Sequence, residues 1–245
     1  MTQTFADVLT ERGLKNIFEM VPVASMQGQL ALPTVMDLAK QVGKKPSTVA
    51  VIADTNQAIQ VMVKTWREGG FDKAGLKLLS EKSYTPPIAD ATELVANLRR
   101  NRPDILFVMP ASLPDLKLLL DSLAEQGLGR DVLPTFAVAG PSPTPELLNI
   151  AGPKSLEGFF SINSNWPGRK HQELAARYKA RSGRPWMTPT ALDGYAQVMI
   201  YRDALEKAGA ADKRKVAEAI RRMDTTRSEE HTSELQSPYV ISYAV

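Results

Sequence analysis

Cysteine is absent from the 245-residue chain. That excludes disulfides, thiolate zinc sites, iron–sulfur clusters and a cysteine nucleophile. It leaves the compartment open, since a secreted protein can do without cysteine. Histidine is nearly as scarce, with two residues, so a multi-histidine metal centre is excluded and a Ser-His-Asp triad has little to draw on. No window approaches the ~18–20 unbroken apolar residues of a transmembrane helix. Neither sign of charge dominates: 30 Lys and Arg stand against 27 Asp and Glu, a net of +3. With 43% hydrophobic and 23% charged residues, the composition is that of a folded chain with one large or two modest domains.

The two ends read differently from the middle. Met1–Asp7 lacks the basic start and apolar run of a signal peptide, and reads as the interior of something longer. At the other end, Arg227–Ser237 and Ile241–Val245 resemble the in-frame translation of a sequencing adapter. Residues 227–245 are therefore expected to be an artefactual tail without packed contacts, and they are set aside from fold reasoning.

Between the ends, strand and helix patterns alternate. Ile17–Val21 reads as a short strand. Ala31, Val35, Leu38 and Val42 share one helical face, with Pro33 expected in that helix's first turn. Thr48–Ala53 is a continuous apolar strand of the kind buried on both faces of a parallel sheet. Ile59, Met62, Val63 and Trp66 line the next helix, which Gly69 and Gly70 are expected to end. Further strands are expected at Leu76–Leu79, Asp104–Met109, Pro134–Ala139 and Leu156–Ile162. Helices lined by Leu94, Val95 and Leu98, by Leu116, Leu119, Leu120 and Leu123, and a short one at Pro145–Ile150 lie between them. Repeated βα units with apolar strands imply a doubly wound parallel sheet.

From Pro167 onward no strand is expected. Three helices, marked by Leu174 and Tyr178, by Leu192, Tyr195, Met199 and Leu205, and by Val216, Ile220 and Met223, need a sheet to pack on. The expectation is that this sheet precedes Met1, and that residues 169–223 expose an apolar patch without it.

Few motifs carry chemistry. Gly127-Leu-Gly129 follows a helix and precedes a strand, the reverse of a dinucleotide fingerprint. There is no Walker A, GxSxG or HExxH sequence. His171 reads as a solvated surface residue. Asp90, Glu93, Asp104 and Asp115 lie at loop or helix starts, where the helix dipole favours acids. Arg99, Arg100 and Arg102, and Lys213, Arg214 and Lys215 with Arg221 and Arg222, are expected on polar helix faces or in last turns. A weakly basic chain without interleaved aromatics is not read as a nucleic-acid binder. No cofactor, metal or catalytic residue is expected.

Ligands of doubly wound sheets bind beyond the carboxyl ends of the strands. Here those ends are small, polar or aromatic and almost uncharged. Thr55, Asn56, Ser112, Ser142 and Trp166 are the candidate ligand-binding residues. Trp166, just before Pro167, is placed either to stack on a planar ligand or to pack as a hinge residue.

Several stretches, in order, carry a resemblance: Gly13–Phe18 followed by Gln27-Gly28; Thr48–Asp54; Arg102–Phe107; Asn149–Gly152 with Glu157-Gly158; and Ala191–Ala196 with Asp203–Glu206. Together they resemble the substrate-binding proteins of ABC transporters for branched-chain amino acids, with the type I periplasmic-binding (Venus flytrap) α/β fold. The resemblance implies one nearly complete parallel-sheet lobe at 22–162. It implies an incomplete helical remnant of the other lobe at 1–21 and 163–226. It implies a non-catalytic, monomeric, periplasmic protein whose signal peptide lies in a missing N-terminal part. Its partners would be a small-molecule solute and a membrane permease. In the family's amino-acid binders a carboxylate in the loop after the fourth strand pairs with the ligand's ammonium. Ser142 stands there, so an acid, amide or aromatic solute is as plausible as an α-amino acid. The alternatives are a ligand-sensing regulatory domain of the same fold and an α/β enzyme.

Overall fold

A computed structural model describes residues 5–129, 132–138, 140–163, 165–223 and 240–243. Contacts divide the chain into two compact units, one of Met1–Val23 with Ser164–Val240, the other of Ala24–Asn163 with Ile241–Val245.

In the first unit, the N-terminal stretch contains the short helix α1 (Asp7–Glu11). The expected strand at 17–21 does not form; a single bridge at Glu19 takes its place. A strand needs a partner ladder along its length to satisfy its backbone groups, and a five-residue segment without one does not persist.

The second unit opens with α2 (Ala24–Gln41), which begins well before Pro33 and carries that proline in its interior. The expected first-turn position is thereby corrected. Pro33 and Gln29, whose carbonyl loses its helical partner, are both exposed, so the break in the helical ladder lies at the surface and not in the core. Val42 lies past the helix end and is 62% exposed, outside the apolar stripe. Strand β1 (Thr48–Asp54) follows, then α3 (Gln57–Thr65). The chain does not stop at Gly69-Gly70. It kinks at Glu68 and Gly69 and runs into the short α4 (Phe71–Ala74). Strand β2 (Lys77–Tyr84) is longer than the apolar run Leu76–Leu79 suggests, because it is a sheet edge whose outer residues Lys82 and Ser83 meet solvent.

The alternation continues through α5 (Thr92–Val95), α6 (Leu98–Asn101), β3 (Ile105–Met109), α7 (Leu113–Glu125), β4 (Thr135–Val138), α8 (Pro145–Ala151) and β5 (Phe159–Asn163). The strands run parallel in the order β2-β1-β3-β4-β5. Leu156 belongs to a 3-10 turn rather than to β5. Beside β5 the backbone of Val240–Tyr243 forms a sixth strand, β6. Of the tail expected to lack packed contacts, this backbone pairing is what is described; residues 227–239 and 244–245 lie outside the described residues. An open strand edge offers unpaired backbone groups to any short β-capable segment.

Both faces of the sheet are covered. On one, Trp66, Phe107, Phe136 and Phe160 form a chain of ring contacts with centroids 4.6, 5.7 and 4.8 Å apart. The fully buried Trp66 indole donates to the Gly28 carbonyl of α2 at 2.7 Å. A Cβ at Gly28 would lie 3.0 Å from Met62 Cγ, so the absence of a side chain there sets how closely α2 approaches α3. On the other face, Ile52, Leu106, Val108, Ala137 and Phe159 meet Val95, Leu98, Leu116, Leu119, Leu123 and Leu147. The apolar spacings read from the sequence are the buried faces of these helices.

The first unit's remaining residues form α9 (Gln172–Ser182), α10 (Pro189–Ala208) and α11 (Lys213–Arg221). Thr188 caps α10 through Ala191 N, and Asp212 caps α11 through Arg214 N and Lys215 N. Leu192 and Val216 are buried, whereas Val198 is 68% and Tyr201 50% exposed. α9 buries none of its residues.

Candidate functional site

Because the strands of the second unit are parallel, the segments following β1, β3, β4 and β5 emerge at one edge of the sheet. Asp54, at the end of β1, organises this edge. Its carboxylate is completely buried. One oxygen accepts from Asn56 N at 2.8 Å, the other from Ala111 N at 2.6 Å. The first contact turns the chain into α3, and the second ties it to the loop after β3. Thr55 N donates to the Tyr84 carbonyl at 2.9 Å, and the Gln60 side chain to the Asp54 carbonyl at 2.7 Å.

Thr55 and Asn56 are exposed on this platform. Asn56 Oδ1 accepts from Ala58 N at 3.0 Å and so caps α3. Ser112, half-buried, caps α7 by accepting from Asp115 N at 3.2 Å. The capping oxygens are committed, but the Asn56 amide nitrogen and the Ser112 hydroxyl hydrogen keep donor capacity. Two helix N-termini thus face an edge whose exposed side chains carry no charge.

Ser142 follows β4 at the same edge, but its side chain is buried. Its hydroxyl lies 2.7 Å from that of Ser161, which also accepts from the Asn163 amide at 2.6 Å. The loop that carries it passes so close to the β3 loop that a Cβ at Gly140, where φ is +67°, would sit 2.9 Å from the Pro110 carbonyl. Asp115, named from the sequence as a helix-start acid, is buried and accepts from Ile88 N at 3.0 Å. Near it, burial and the charges of Asp115 and Asp54 push the Tyr84 hydroxyl well above the usual tyrosine range. The role of Asp54 was missed in the sequence, although an acid at a strand end two residues before a helix is a recognisable turn signal.

Trp166 belongs to the other unit. It is half-buried, and its indole nitrogen is enclosed without a hydrogen-bond partner among the described residues. Its neighbour Asn165 holds a left-handed φ of +63° and donates to Asp193 Oδ1 at 2.7 Å. Burial pushes the Asp193 carboxyl up to about 7; the Asn165 hydrogen bond opposes that shift and the charge of Glu19 adds to it. One sequence expectation is corrected in this unit: His171 is buried, not solvated, and its Nδ1 accepts from Gly168 N at 3.2 Å. Of the two placements expected for Lys213, Arg214 and Lys215, they take the polar helix face, exposed in the first turn of α11. Among the described residues no acid and histidine cluster could hold a metal ion, and no helix is long and apolar enough to cross a membrane.

The second unit is thus a parallel α/β unit whose outward-facing strand-end residues Thr55, Asn56 and Ser112 are polar and uncharged, the place where ligands of doubly wound sheets bind. Residues 4–233 match the family model described as periplasmic binding protein, and the chain belongs to that family. It is 28% identical over 221 residues to the leucine-, isoleucine-, valine-, threonine- and alanine-binding protein of Pseudomonas aeruginosa, covering 88% of this chain and 55% of the relative. The chain thus spans about half the length of that protein. Among solved structures, a leucine-binding protein from Thermotoga maritima matches with a TM-score of 0.72 at 20% identity, covering 88% of this chain and 59% of that one. An ABC transporter solute-binding protein from Rhodopseudomonas palustris, in complex with 3,4-dihydroxybenzoic acid, matches with a TM-score of 0.69 at 21% identity, covering 86% and 56%. Both likenesses show the type I periplasmic-binding fold.

Proposed function

We propose that the chain is part of an extracytoplasmic solute-binding component of an ABC transporter, which closes two lobes on a small amino-acid-like, amide or aromatic-acid solute and hands it to a membrane permease. The observation that carries this reading is the family match over residues 4–233. The strand-end edge supports it in detail. Asn56 and Ser112 supply neutral donors, and the N-termini of α3 and α7 favour partial negative charge on the solute. Ser142, turned onto Ser161, offers no carboxylate to an ammonium group. A solute with a carboxylate or carbonyl facing this edge is therefore favoured over one that presents an ammonium there.

The test is a titration of the 245-residue chain, followed by amide chemical shifts, with leucine, an aliphatic amide and 3,4-dihydroxybenzoate. Shifts concentrated at Thr55, Asn56 and Ser112 are expected, larger for the carboxylate-bearing aromatic than for the amide. Shifts that avoid all three residues, or chemical conversion of a solute, would overturn the reading.

A further inference from the structure

The first unit carries a groove of about 860 Å³ between the loop at Lys15, the end of α10 and the length of α11. Seven cations line it; Arg221 and Arg222 pair with Glu218, whereas Lys15, Lys207, Lys213, Arg214 and Lys215 enter no ion pair among the described residues. The acid on its wall, Glu218, is already engaged by Arg221 at 2.8 Å and Arg222 at 2.7 Å. The placement of the cations runs against the helix that holds them. Lys213, Arg214 and Lys215 fill the first turn of α11, where the macrodipole is positive, and the one acid beside them, the N-cap Asp212, has an oxygen committed to Arg214 N and Lys215 N. Three adjacent like charges at the unfavourable end of a helix destabilise it, and nothing in the unit's packing requires them: their side chains are exposed. One capping carboxylate offsets only one of the three charges, and a surplus of cations held by no ion pair marks a surface shaped by something external.

We propose that this groove is a docking surface for the anionic headgroups of a lipid bilayer. Unpaired cations contributed by three separate elements, the loop at Lys15, the end of α10 and the first turn of α11, match a plane of several phosphates better than one small anion. Among the described residues no aromatic side chain lines the groove to stack on a base, which disfavours single-stranded nucleic acid. The apolar side of α11 is already spent inside the unit, with Val216 and Ala217 buried. Contact is therefore adsorption by charge, without insertion, and salt reverses it. The choice of a membrane rests on the reading above that the chain serves a membrane transporter.

The test is co-sedimentation of the full 245-residue chain with phosphatidylcholine vesicles, with and without phosphatidylglycerol. Binding is expected only to the anionic vesicles, and 0.5 M NaCl should abolish it. The K213Q/R214Q/K215Q variant should bind roughly 100-fold more weakly, at about fivefold per charge removed. It should melt at the same temperature or higher, because the first turn of α11 is relieved. A K40Q/K44Q/K45Q variant, which removes as many charges from the other unit, should bind like the parent. Equal binding to neutral vesicles, no binding to anionic ones, an unaffected first variant, or preference for a soluble acidic polypeptide over vesicles would each overturn the proposal. Solute shifts at Thr55, Asn56 and Ser112 should be identical in the first variant. Their absence alongside intact vesicle binding would sink the solute reading and sustain this one.

Discussion

Asp193 should make the stability of the first unit fall as pH rises through the weakly acidic range. The residue is 6% exposed, and burial pushes its carboxyl from the ordinary 3.8 up to about 7. Below about pH 4 the group is protonated in both folded and unfolded chains and contributes no slope. Between about 4 and 7 the folded protein retains a proton that the unfolded chain has lost, so each pH unit costs ~1.4 kcal/mol of stability. Above about 7 the group is ionised in both states and the loss is complete. Three units would give ~4 kcal/mol, and residual solvation reduces this to ~2–4 kcal/mol. Asp193→Asn keeps an oxygen for the Asn165 amide but removes the titration. The variant should match the parent at pH 4 and exceed it by ~2–4 kcal/mol at pH 8. Urea unfolding at a series of pH values, followed by amide resonances of α10 residues, reads the first unit alone. Parallel pH profiles for parent and variant, or a variant uniformly less stable at every pH, would refute the reasoning.

Other perturbations test the second unit. Gly28→Ala gains up to ~1 kcal/mol of helix propensity, but its Cβ meets Met62 Cγ at 3.0 Å and the Met62 carbonyl at 3.2 Å. Overpacking of ~1–3 kcal/mol should win, giving a lower urea midpoint. Gly140→Ala adds a strained left-handed φ to a 2.9 Å approach to the Pro110 carbonyl; a loss of ~1–3 kcal/mol is expected, together with altered amide shifts at Ala111 and Ser112. Trp66→Ala empties a fully buried site between α2 and the sheet and should cost ~3–5 kcal/mol in the same denaturation assay. Asp104 accepts from Ser47 N and Thr48 N at 2.7 and 2.9 Å, which holds its carboxyl below the usual range. Its contribution is present above the ordinary carboxylate pKa and lost as pH falls through the lowered one. Asp104→Asn should therefore flatten only the acid limb of the melting profile.

How much was readable depended on whether a residue's fate is settled by its own strand or by its neighbours. The apolar runs at 48–53, 105–109 and 135–138 are buried on both faces, so hydrophobicity alone marks them, and β1, β3 and β4 follow. Edge strand β2 needs burial on fewer sides, and its charged second half, Glu81 and Lys82, reads as a loop until the pairing of Val51 with Glu81 and Ile52 with Lys82 is seen. The same distinction governs the site. Parallel strands oblige Thr55, Asn56, Ser112 and Ser142 to follow strand ends at one edge, which is a consequence of chain direction. Which of them offers a side chain to solvent is a consequence of partners far away in sequence. Ser142 turns inward because Ser161 lies 2.7 Å from it, and no spacing within the β4 loop encodes that. Which end of its helix Lys213–Lys215 occupies is hidden from the sequence for a smaller reason of the same kind. The clusters at 213–215 and 221–222 look alike in sequence, and only the capping bonds of Asp212 decide that one opens the helix while the other closes it. A helix pattern is read from its apolar face, which has a period but no direction. Its electrostatics do have a direction, so charged clusters become informative only once the cap is located.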